Sequence, residues 1–144
     1  MDTVFITDIP KNSMKYLESA WSLKNEIENE TNLLQQEWYN FKQVYKDSEV
    51  YLAINEKNEV LGFACIIKNS YLSILAVDIN HQRKGIGKHI VNTIKNEYSY
   101  LYCHSRKSNT DSHEFYKKLN FDKTSTAKNY YKDHEDAYVF TYYD

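Results

Sequence analysis

The chain has 144 residues, a net charge of −2 and no run of apolar residues long enough for a membrane-spanning helix. That length makes one domain, residues 1–144, with enough chain to bury a real core, and the charge excludes the basic footprint of a nucleic-acid-binding domain. Two cysteines, each inside an apolar strand-like segment, point to a reduced cytoplasm and are too few for a metal site of their own.

Residues 3–8 read as a short strand closed by Pro10. A helix is expected from about Ser13, with Tyr16, Leu17, Ala20, Trp21 and Ile27 on one face. The acidic run Glu26 to Glu30 reads as its frayed end and a connecting loop. Thr31 or Asn32 would cap a second helix carrying Leu33, Leu34, Trp38, Phe41 and Tyr45 inward. Val50 to Ile54 and Val60 to Ile67 form a hairpin about the polar turn 55–59.

The central stretch follows. Leu72 to Val77 is an almost unbroken apolar run, as in a strand buried on both faces. Beyond it, Ile86, Ile90 and Ile94 recur at helical spacing to about Glu97. Between them lies Gln82-Arg83-Lys84-Gly85-Ile86-Gly87-Lys88, which holds two of the three glycines in the chain. A glycine-containing loop that opens a helix presents free backbone N–H groups and the positive end of a dipole, which suits a phosphate. The loop fits neither G-x-x-x-x-G-K-[ST] nor G-x-G-x-x-G.

Leu101 to Ser105 is the next strand, and Ser108-Asn109-Thr110 caps a short helix with His113, Phe115, Tyr116 and Leu119. Asn120 stands where a left-handed residue would end it. Two final strands close the chain, the last being Ala137 to Tyr143. The order β-αα-βββ-α-β-α-ββ predicts an α/β (α+β) fold with about seven strands in a mixed central sheet and helices on both faces.

The loop 82–87 resembles the Gln/Arg-x-x-Gly-x-Gly/Ala loop of the GNAT acetyltransferases, which cradles the pyrophosphate of acetyl-CoA. Arg106 to Phe121 looks like that family's R-x-S-N-x-x-A-x-x-F-Y-x-x-x-G-F, with Ser112 for the small Ala and Asn120 for Gly. Lys128-Asn129-Tyr130-Tyr131 with His134-Glu135-Asp136-Ala137 is similar to the N-Y-Y…(E)-D-A signature of the protein N-terminal acetyltransferases, the ribosomal-protein alanine acetyltransferases among them. The motif match covers about residues 50–144; residues 1–49 fit by helix pattern.

The resemblance implies an acetyl-CoA-dependent N-acetyltransferase with no metal. Gln82, Arg83, Lys84, Gly85, Ile86, Gly87 and Lys88 would hold the pyrophosphate. The backbone of Ala76 and Val77, with the Asn109 side chain, would hold the thioester and pantetheine. His104 with Tyr71 is expected as the base pair, and Tyr116 as acid at the CoA sulfur. Tyr130 and Tyr131 would clamp the acceptor, and the expected loop bearing Ile27 and Glu28 would shape its pocket. That loop departs from the aromatic-Pro pair common in the group. Three acceptors therefore stand open: a protein or peptide N-terminus, a small amine such as a polyamine or aminoglycoside, and a protein lysine. A non-catalytic acetyl-CoA-binding module is the reading from another class. The tyrosine-rich final strands leave a homodimer edge open without demanding one, and no nucleic acid or membrane partner is expected.

Overall fold

The structure is a computed structural model that describes residues 3–10 and 13–144. Among the described residues there are seven strands and four α-helices, in the mixed α/β order that the sequence predicts. The chain divides into two compact units, Met1–Ile94 and Lys95–Asp144.

In the first unit β1 (Val4–Ile9), β2 (Glu49–Asn55), β3 (Val60–Ile67) and β4 (Tyr71–Val77) pair antiparallel in sequential order. The β2–β3 turn is built on Asn55, whose side-chain oxygen accepts from the N–H groups of Lys57 and Glu59. Asn58 takes the left-handed conformation at φ 63°. Helix α1 (Leu17–Thr31) and helix α2 (Trp38–Asp47) cover one face of this sheet. Leu17, Ala20, Leu23 and Ile27 join Phe41 and Tyr45 over Val50, Leu52, Phe63, Cys65, Ile74 and Ala76. Helix α3 (Ile86–Lys95) lies on the opposite face, where a Cβ on Gly62 would stand 3.2 Å from Ile90 Cδ1 and 3.4 Å from Ile86 Cγ2. Gly62 therefore permits the close approach of helix to strand.

Three boundaries differ from the sequence reading. Helix α1 begins at Leu17 and not near Ser13, because residues 13–16 form turns in which Ser13 N–H donates to Pro10 C=O and Leu17 N–H to Met14 C=O. It also continues through the acidic run. Residues 26–30, expected as a frayed end and loop, are helical, the helix runs on to Thr31, and the chain turns at Asn32 with φ 61°. Lys24 and Ile27 lie on the buried stripe, and that burial carries the helix past its weak propensity. Helix α2 accordingly starts at Trp38, with Glu37 in the capping position instead of Thr31 or Asn32.

In the second unit β5 (Tyr100–Arg106) and β6 (Asp122–Ala127) flank β7 (Ala137–Tyr143), all antiparallel. Helix α4 (Thr110–Lys118) is capped by Asn109, and Asn120 adopts φ 66° just beyond its end, as expected. Along β5, Leu101, Cys103 and Ser105 are buried while Tyr100, Tyr102, His104 and Arg106 alternate with them.

Candidate functional site

The first unit holds the residues expected to bind the pyrophosphate. Strand β4 ends at Val77, a single 3₁₀ turn covers Ile79–His81, and an exposed loop leads into α3. The Gln82 side-chain amide donates to Val77 C=O at 3.1 Å, tying the loop back to the strand it leaves. Arg83 and Gly85 both take positive φ, 64° and 84°. A Cβ on Gly85 would meet nothing within 4 Å, so the glycine serves a backbone angle and leaves open space above the loop. His89 N–H donates to Gly85 C=O at 2.9 Å as the helix begins. The N–H groups of Ile86, Gly87 and Lys88 precede that bond and have no partner within the helix. Arg83, Lys84 and Lys88 are exposed beside them. Backbone donors, a helix dipole and three cationic side chains make a fitting cradle for a pyrophosphate.

Tyr71 opens β4, half-buried, and Ala76 and Val77 close it. Ala76 is paired with Phe63 and Val77 with Gly62 in the β3–β4 register. The same unit contains a cavity of about 530 Å³ that none of the expected site residues lines. Its walls carry four carboxylates, Glu18, Glu26, Glu59 and Asp78, with Leu23 and Val60 as apolar surface.

Ile27 and Glu28 are not loop residues. The Ile27 side chain is 5% exposed within the core of α1, and Glu28 accepts from Lys24 Nζ and from Gln36 N–H. Lys24 is fully buried and also donates to Gln36 C=O at 2.8 Å, with its ammonium 4.7 Å from the Trp21 ring centroid. A lysine so buried is tolerated because each of these partners compensates its lost hydration. The connection between α1 and α2 is residues 32–37, and this lysine–glutamate pair holds its end.

The second unit holds the residues expected to move protons and to clamp the acceptor, Tyr71 of β4 apart, and it divides them between the two faces of β5. Cys103 is paired with Phe140 and His104 with Val139, so alternation sends the two side chains to opposite sides. Tyr116 lies on the Cys103 side. Its ring packs 5.8 Å from Phe140 and 5.2 Å from Phe121, and its hydroxyl bonds the Cys103 thiol. Burial pushes that thiol up to about 12, with the Tyr116 bond working against the rise. Asn109 uses its side-chain oxygen to accept from Ser112 N–H at 3.2 Å, which leaves its amide nitrogen as the group it can present to a ligand.

On the other face, His104 lies flat against Tyr130, with ring centroids 4.0 Å apart and planes 10° from parallel. Burial lowers the His104 pKa below its ordinary value, so the imidazole is neutral at pH 7. Tyr131 stands edge-on to Tyr130 at 5.0 Å. The structure therefore brings His104, Tyr130 and Tyr131 together.

A group that sequence reasoning passed over lies beside them. The Arg106 guanidinium sits 4.0 Å from the Tyr131 ring centroid, and its Nη1 donates to Asp133 at 2.9 Å and to Glu135 at 2.8 Å. Glu135 also accepts from Ser108 N–H at 2.9 Å. Bonds from the Ser108 hydroxyl and the Arg106 guanidinium hold its carboxyl down at about 2. Asp136 accepts from Asn129 N–H through its side chain and from Lys107 N–H through its carbonyl. The visible signal was the presence of both R-x-S-N and E-D-A, motifs that turn out to be partners across 29 residues.

Residues 14–121 match the model of the Acetyltransferase (GNAT) family. The chain belongs to that family. An N-alpha-acetyltransferase of Saccharolobus solfataricus is 34% identical in an alignment 80 residues long that covers 51% of this chain and 48% of that protein. The chain thus spans about half the length of this curated relative. Among solved GNAT-like structures, the ribosomal-protein-S18-alanine N-acetyltransferase from Escherichia coli aligns with a TM-score of 0.80 at 18% identity, over 98% of this chain and 94% of that one. A GNAT family acetyltransferase from Elizabethkingia anophelis with acetyl-CoA bound aligns with a TM-score of 0.78 at 18% identity, over the whole of both chains. At these identities the likeness is one of fold. No described helix is long and apolar enough to cross a membrane.

Proposed function

We propose that this protein is an acetyl-CoA-dependent N-acetyltransferase that acetylates the α-amine of a protein or peptide N-terminus by direct transfer, in a reducing compartment such as the cytoplasm. The observation that carries this reading is the pairing of a neutral His104 with Tyr130 and Tyr131 on one face of β5. Tyr116 lies on the opposite face of that strand. An amine approached from the His104 side and a thiolate leaving on the Tyr116 side would each find a proton-transfer group.

The roles that the family resemblance assigns satisfy the proton balance. The amine arrives as an ammonium and must lose a proton, while the CoA sulfur must gain one. His104, assisted by Tyr71 at the start of β4, accepts the first proton directly or through a water. The Tyr116 hydroxyl donates the second. Residues 82–88 bind the pyrophosphate, and the backbone of Ala76 and Val77, with the Asn109 side chain, holds the thioester and pantetheine.

The strength of the base favours an α-amine. A proton moved from an α-ammonium of pKa about 8 to an imidazole of pKa about 6.5 climbs about 2 kcal/mol, and from lysine at about 10.4 it climbs about 5 kcal/mol. Burial lowers the His104 pKa further, which adds to both costs. The second reading, a small cationic amine, rests on the four carboxylates of the 530 Å³ cavity. Acetyl transfer to peptides with free or blocked N-termini, run beside spermidine and read by mass, tests the two against each other.

A further inference from the structure

We propose that Arg106 is a positioning residue: it latches residues 128–136 onto the corner between β5 and α4, and so fixes Tyr130 and Tyr131 for an incoming peptide N-terminus. The peptide part of this inference rests on the function proposed above; the latch itself rests on geometry. Arg106 leaves β5 on the same face as His104, two residues on. A single terminal nitrogen serves Asp133 and Glu135 together, and the guanidinium lies 4.0 Å from the Tyr131 ring centroid. The Arg106 side chain is 13% exposed and Glu135 25%, so that charge-assisted bond is partly sheltered from water, while Asp133, 59% exposed, meets the guanidinium from the solvent side.

The loop depends on such anchors. Its own backbone bonds are few: Tyr131 N–H donates to Glu135 C=O at 3.2 Å, and His134 N–H to Tyr131 C=O at 2.8 Å. Asn129 and His134 both take positive φ, at 53° and 72°. Beyond these, Ser108 N–H donates to Glu135, and Asp136 ties to Asn129 and Lys107. Tyr130 is 45% exposed, so its stack on His104 is held from the loop and not by a surrounding core. Releasing Arg106 would leave the loop attached at its ends while Tyr131 loses its cation and Tyr130 its fixed position.

The test compares full-length wild type with Arg106→Gln, Arg106→Lys and Glu135→Gln. Amide hydrogen exchange of residues 128–136 is measured without ligand, and steady-state kinetics with an acceptor peptide and acetyl-CoA. The latch predicts that Arg106→Gln speeds exchange in 128–136 and raises the acceptor KM, each by at least about tenfold, the equivalent of one charge-assisted hydrogen bond. The kcat and acetyl-CoA affinity stay near wild type, Arg106→Lys recovers part of the loss, and Glu135→Gln moves both readouts the same way. Unchanged exchange, or faster exchange with an unchanged acceptor KM, overturns the proposal. Should Arg106→Gln fail to fold, Glu135→Gln carries the same comparison. If wild type acetylates no peptide, the functional reading fails while the exchange arm still decides whether the latch exists.

Discussion

The His104 imidazole is stacked on the Tyr130 phenol at 4.0 Å, and this contact covers one face of a ring whose pKa burial lowers. Replacing Tyr130 by Ala uncovers that face, so the His104 pKa is expected to rise toward about 6.5. An NMR titration of the His104 ring protons in wild type and Tyr130→Ala measures the change directly.

His104 also sets the expected pH dependence. A base with a depressed pKa is already neutral at pH 6.5, so the acid limb of kcat/KM should fall below that pH. His104→Gln should lower kcat by about 10²–10⁴-fold and abolish that limb, with acetyl-CoA affinity kept. The stability effect has a definite sign. The unfolded histidine binds its proton first as pH falls, so the fold loses stability as pH drops from about 6.5 through the native value. Urea unfolding of wild type and His104→Gln across pH 5 to 8 checks this, since the variant lacks that part of the slope.

Tyr116→Phe keeps the ring against Phe121 and Phe140 and removes the hydroxyl that bonds Cys103. Losing one such bond costs about 1 kcal/mol of stability. The rate loss should be much larger, about 10²-fold or more in kcat, with acetyl-CoA still bound. Calorimetric titration with acetyl-CoA beside steady-state kinetics separates binding from chemistry, and the non-catalytic binding module predicts no transfer in either protein.

Gly85 and Gly62 should respond differently to the same substitution. Gly85→Ala meets no neighbour but must hold φ near 84°, which costs about 1–2 kcal/mol and is expected to weaken acetyl-CoA binding. Gly85→Asn should recover part of that loss, because Asn tolerates the left-handed region. Gly62→Ala would place its Cβ 3.0 Å from Ala76 C=O and 3.2 Å from Ile90 Cδ1, destabilising the packing of α3 by about 1–3 kcal/mol. Thermal unfolding and acetyl-CoA titration of the three variants distinguish a loop angle from a packing contact.

Much of this molecule was legible along the chain. Ile86, Ile90 and Ile94 announced α3 by spacing, and all three are buried. Asn120 announced the end of α4, and the polar turn at 55–59 announced the hairpin. Legibility failed where tertiary burial outweighs local composition. The run Glu26 to Glu30 reads as loop, yet Ile27 on the core side and Lys24 beneath Trp21 carry the helix through it. It failed again where partners are distant: nothing local in Arg106 reveals Asp133 and Glu135 on a hairpin almost thirty residues later. The division of His104 and Tyr116 between two faces of β5 needed the register with β7, which no single segment contains.

The measurement that bears most directly on the proposed function is acetyl transfer from acetyl-CoA to short peptides that differ in their first two residues. Matched peptides with blocked N-termini and free lysines, and spermidine, run alongside, all read by mass. Acetylation confined to free α-amines, with a preference among first residues, is the predicted result. Transfer to lysine or spermidine alone would contradict it.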